Sequence, residues 1–96
     1  MKYTTRLNIT RRTDDVDQRI EDWHAAAVTD RCFRLTPGHR SASWRRATTT
    51  SVTVSVRLEA GSLHEAAAAA EACVRRLALP YVAVVADVGP TLRRTA

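Results

Sequence analysis

A chain of 96 residues with a formal charge of +5 is long enough for one domain with a modest core and too short for two. Hydrophobic residues supply 45% of it, which excludes a disordered composition, although much of that share is alanine and there is one Phe and one Met. No apolar run reaches membrane-spanning length and the opening "MKYTTRLNIT" has no signal-peptide core, so a cytoplasmic protein without a membrane partner is expected.

Residues 3 to 10 alternate, with Tyr3, Thr5, Leu7 and Ile9 on one face and Thr4, Arg6, Asn8 and Thr10 on the other, which predicts a half-buried strand. The following "TDDVDQRIEDWHAAAVTD" reads as a helix. Thr13 is placed to cap it, Asp14, Asp15 and Asp17 suit the positive end of its dipole, and Val16, Ile20, Trp23 and Ala27 form one apolar stripe. "RCFRLT", residues 31 to 36, reads as a short strand stopped by Pro37-Gly38.

"PGHRSASWRRATTT", residues 37 to 50, then carries three arginines and a tryptophan with no acid, and reads as a basic loop over 37–49. "TSVTVSVRL" is the clearest strand, with Val52, Val54, Val56 and Leu58 on one face. Ser62 and Glu65 open an alanine-rich helix whose buried stripe is Ala66, Ala70, Cys73, Val74 and Leu77. Pro80 bars more helix, "YVAVVADV" is the last strand, and residues 90–96 form a basic, disordered tail.

Strand, helix, strand, strand, helix, strand is the order of an α+β, ferredoxin-like βαββαβ sandwich. One such domain is expected over 1–89, with a four-stranded antiparallel sheet and both helices on one of its faces. An RNA-reading sheet of this kind needs stacking aromatics on its open face. Here that face offers Thr4, Arg6, Asn8, Thr10, Thr53, Ser55 and Arg57 instead.

His24, His39 and His64 lack ligand spacing, and Cys32 and Cys73 read as separate buried thiols, so no metal and no cofactor are expected. No nucleophile, base and acid converge in sequence, and no catalytic residue is assigned; the expectation is that the chain is not an enzyme.

Two groups of residues remain as candidates for contact. Arg40, Trp44, Arg45 and Arg46 suit either a protein partner or the phosphates and bases of nucleic acid. The last strand is apolar on both faces, so Tyr81, Val82, Val84 and Val85 are the candidate interface of a homodimer. Fourteen Arg against one Lys match the coding bias of a GC-rich genome, which lowers the weight of arginine content as evidence for nucleic-acid binding.

The segment "SVTVSVRLEAGSLHEAAAAAEACV", with "DDVDQRIEDW" ahead of it, resembles a strand-to-helix pattern of small ferredoxin-like proteins of actinobacteria and actinobacteriophages. The resemblance covers residues 3 to 85 and brings no catalytic residue. Its motifs are fold-determining, and the proteins that it points to are mostly of unassigned function, so what it implies is the fold. Taken together, these readings lead to a non-enzymatic module that self-associates and contacts a protein partner, in a regulatory or host-directed role. The alternative is a DNA-associated accessory protein that touches phosphates through residues 37–50.

Overall fold

The computed structural model describes residues 1–92. It contains five strands and two helices: β1 (Lys2–Thr13), β2 (Val16–Gln18), α1 (Asp22–Leu35), β3 (His39–Arg46), β4 (Ser51–Glu59), α2 (Leu63–Arg76) and β5 (Tyr81–Pro90). The molecule is α+β, with one antiparallel sheet and two helices. β1 is central, pairing with β4 from Lys2↔Glu59 to Thr10↔Ser51 and with β5 from Tyr3↔Pro90 to Arg11↔Tyr81. β3 joins the far side of β4.

The core follows from the alternation of β1 and β4. Leu7, Ile9, Val52, Val54, Val56 and Leu58 are buried, and each full burial of an aliphatic side chain is worth about 1.5–3 kcal/mol. α1 lies over β3 and β4, and α2 over β5 and β1. The small side chains of Ala66, Ala69, Ala70 and Cys73 form the buried face of α2 and let its backbone approach the sheet. The start of α2 is fixed as its sequence implies. Ser62 Oγ accepts the Glu65 N–H at 3.2 Å, and Glu65 Oε2 accepts the Gly61 N–H at 2.8 Å.

The structure corrects three expectations along the first half of the chain. β1 runs on to Thr13 and turns back through Asp14 and Asp15, both at positive φ (52° and 60°), into β2. A two-residue turn with both central residues left-handed matches the twist of the strands it joins, and aspartate tolerates that conformation. Thr13 therefore belongs to a hairpin, and Val16, 58% exposed, is no part of a buried helix stripe.

α1 begins only at Asp22, after Glu21 as its N-cap. Its buried face is His24, Ala25, Val28, Thr29 and Cys32, while Trp23 is 68% exposed. The helix also runs through Cys32–Leu35, so "RCFRLT" is its last turn rather than a strand. Thr36 closes that turn, its hydroxyl donating to the Cys32 carbonyl at 2.7 Å.

The supposed basic loop is mostly strand. β3 occupies its centre, and Ala42, Trp44 and Arg46 stand opposite Val56, Val54 and Val52 of β4. β5 ends at Pro90, and the next residue is tied down, Thr91 N–H donating to the Lys2 carbonyl at 3.0 Å. The tail expected over 90–96 is thus anchored at its start, and residues 93–96 lie outside the described residues.

Candidate functional site

The strand geometry of β3 separates residues that adjoin in sequence. Between His39↔Leu58 and Ser41↔Arg57 the register shifts, which makes Arg40 the extra residue of a bulge. Arg40 reaches Glu59 of the neighbouring strand, Nη2 to Oε1 at 3.5 Å. Trp44 is half-buried on the helix side, packed against the core. Arg46, on the same side, bonds Asp22 at the start of α1 at 2.9 Å.

Arg45 points the opposite way, onto the open face of the sheet opposite Thr53, and has no ion pair among the described residues. The four candidate contact residues thus divide among the bulge, the core side and the open face. Sequence reasoning missed this because it took the segment for a loop, in which neighbouring arginines can face one ligand.

On the open face the pairings bring Arg6 toward Arg45. Arg6 lies opposite Ser55, and Arg6, Ser43, Arg45, Thr53 and Ser55 line a shallow depression, while Arg57 lies farther along β4, opposite Ser41, in a separate depression with Lys2 and Arg40. Arg6 also pairs with Asp87 of β5 at 2.8 Å. Around the arginines this face carries Ser, Thr and Asn side chains, and on β5 it continues with Val82 and Val84.

β5 divides its apolar residues between two faces. Tyr81 and Val85 turn toward α2 and join the core, Tyr81 almost fully buried. Val82 and Val84 lie opposite Thr10 and Asn8 on the open face, and Val84 is 63% exposed. An extra residue at Ala86 shifts the register between Arg6↔Asp87 and Leu7↔Val85, which returns Val88 to the core side. Of the four candidate interface residues, Val82 and Val84 are the two that can meet another molecule through the open face.

Among the described residues no three His, Cys, Asp or Glu side chains are grouped to hold a metal ion. No helix there is long and apolar enough to cross a membrane. The two cysteines, by contrast, are brought together from α1 and α2. Cys32 and Cys73 are both buried, and the Cys73 Sγ–H donates to the Cys32 carbonyl at 3.7 Å. Both are free and buried, as expected, and the packing of α1 and α2 also places them side by side, which their distance in sequence does not reveal.

His24 is the buried histidine, and it fastens the first turn of α1. The Glu21 N–H donates to His24 Nδ1 at 3.1 Å, and the Glu21 side chain accepts from the His24 backbone N–H. Burial holds the imidazole below its usual pKa, and the Arg11 guanidinium adds to this, while Glu21 opposes it. His24 therefore takes up its proton at a lower pH in the fold than in the unfolded chain.

The stability that follows is complete above about pH 6.5, and is lost as pH falls from there through the lower folded pKa. Thermal unfolding between about pH 7 and 5 should show the wild-type melting temperature falling more steeply than that of His24→Gln. Glutamine preserves a capping acceptor at that position and does not titrate. Parallel slopes for the two proteins would remove His24 as the source.

Compared with known proteins, the chain matches no family model, no curated protein and no solved structure.

Proposed function

We propose that the chain is a non-enzymatic binding module that self-associates through the free edge of β5 and meets a protein partner through the rest of its sheet. The observation that carries this reading is the contrast between the two outer strands. β3 bears His39, Arg40, Arg45 and Arg46, with a bulge at Arg40, and such charges and bulges guard an edge against pairing with another copy. β5 is ten residues long, has Asp87 as its one charged side chain, and exposes Val84. Two copies of β5 laid antiparallel about a twofold axis would extend the sheet and shelter Val82 and Val84.

With the short β2 set aside, the order β5-β1-β4-β3 and the succession of strands and helices also support the ferredoxin-like reading of the fold. A regulatory or host-directed role, in an actinobacterium or its phage, is the part of this reading that rests on the sequence alone.

Sedimentation velocity across a concentration series tests the self-association. The wild-type chain should pass from monomer to dimer, and Val84→Lys should weaken the dimer about tenfold or more, because two like charges meet across the pairing. Arg45→Ala, on the guarded side, should leave it unchanged. A wild-type protein that stays monomeric throughout ends this reading.

The placing of Arg6 and Arg45 around one depression of the open face favours a second reading, contact with nucleic-acid phosphates. It requires saturable binding of DNA that weakens with salt and depends on Arg6 and Arg45. In this version the open face takes the place of the 37–50 segment as the contact surface.

A further inference from the structure

We propose that Cys32 and Cys73 are a redox modification site, at which a peroxide oxidises the two thiols to a disulfide joining α1 to α2. These are the only cysteines of the chain, they lie 41 residues apart, and each is held on the buried face of its helix toward the other. The Sγ of Cys73 sits 3.7 Å from the main-chain oxygen of Cys32, so the sulfur of one residue already lies against the backbone of the other. The Thr36 hydroxyl is committed to that same carbonyl at 2.7 Å, which fixes the end of α1 around the pair. Both belong to the buried core cluster, and among the described residues they join no group of three metal-binding side chains.

The chemistry needs one thiolate and a nearby thiol to resolve the first product. The two thiols are hydrogen-bonding partners, so ionising one goes with keeping the proton on the other, and burial opposes charge on both. Either sulfur can open the reaction, and the steps are the same with the roles exchanged; Cys73, whose sulfur lies against the Cys32 main chain, is taken as the attacker. Its thiolate displaces hydroxide from hydrogen peroxide and becomes a sulfenic acid, the hydroxide taking a proton to leave as water. The Cys32 sulfur then attacks the Cys73 sulfur, the S–O bond breaks, and the departing oxygen leaves as a second water with the Cys32 proton. Two thiols and one peroxide give one disulfide and two waters. Peroxide is the fitting oxidant because both thiols are fully buried, and a bulky disulfide reagent would have no approach to them.

The test uses the full chain under native conditions. After treatment with hydrogen peroxide, unreacted thiols are alkylated in denaturant, and the protein is analysed by intact mass and by peptide mapping without reduction. The expected product has lost two hydrogens, accepts no alkylating reagent, and yields one cross-linked peptide pair containing Cys32 and Cys73. Its melting temperature should rise by about 10 °C, since the bond closes a long loop, and dithiothreitol should reverse the change. In Cys32→Ala and in Cys73→Ala the same treatment should give neither the loss of two hydrogens nor an intramolecular cross-link, and neither variant should gain the rise in melting temperature. The proposal is overturned if both thiols are still alkylated after peroxide, if each gains oxygen without a cross-link, or if the link forms only between copies or only in denaturant.

Discussion

Replacing Gly38 with alanine should destabilise the protein by about 2–4 kcal/mol, from left-handed strain and a backbone collision acting together. Gly38 joins α1 to β3 at φ +74°, a conformation that costs any residue with a Cβ. An added methyl would also run into the Glu59 carbonyl oxygen. That oxygen cannot easily retreat. Glu59 pairs with Lys2 in the sheet, and its N–H donates to the Gly38 carbonyl at 2.9 Å, so a shift on either side breaks the contact that holds them together. Urea unfolding should show a lower midpoint with an unchanged slope. Gly89→Ala is the control, since its new Cβ would meet nothing within 4 Å, and its effect should stay within about 0.5 kcal/mol. Equal losses at the two glycines would refute the strain argument.

The segments legible from sequence are those in which local pattern and tertiary burial agree. In β4 every second residue is aliphatic and buried, and α2 has a capping serine, a small-residue stripe and a proline soon after its end. Residues 11–21 were not legible, because Val16, Ile20, Trp23 and Ala27 have helical spacing while only Ile20 is buried. The Asp14-Asp15 turn also lacks the glycine that usually marks such a hairpin.

β3 has too few apolar residues to reveal its alternation, and it forms because β4 offers it a register. The same ladder turns Arg45 away from Arg46, which no spacing rule for a loop would indicate. The thiol pair was hidden for a simpler reason: two helices that pack over one sheet bring it together, and 41 intervening residues carry no trace of that meeting.

Ile20→Ala should cost about 3 kcal/mol, within the range for deleting buried aliphatic groups and a large fraction of a small domain's stability. Ile20 is fully buried yet lies outside any helix, immediately before the Glu21 cap. Its N–H donates to the Thr49 carbonyl at 2.9 Å, and its side chain shares the core cluster with Ala25, four residues into α1 from the cap. An apolar residue just before the cap, set against one in the first turn, fixes the angle at which a chain enters its helix. Alanine at position 20 would leave a cavity beside Ala25, which is too small to fill it, and would release the helix start that His24 and the Arg46–Asp22 bond also hold.

Denaturant unfolding should therefore show the full loss, with Ile20→Val at about 1 kcal/mol. Hydrogen exchange should quicken at the first-turn amides of α1 before those of α2. Val16→Ala separates this account from a helical stripe through both residues. If Val16 and Ile20 shared such a stripe, both truncations would be costly; with Val16 exposed on a hairpin, its own should stay within about 0.5 kcal/mol.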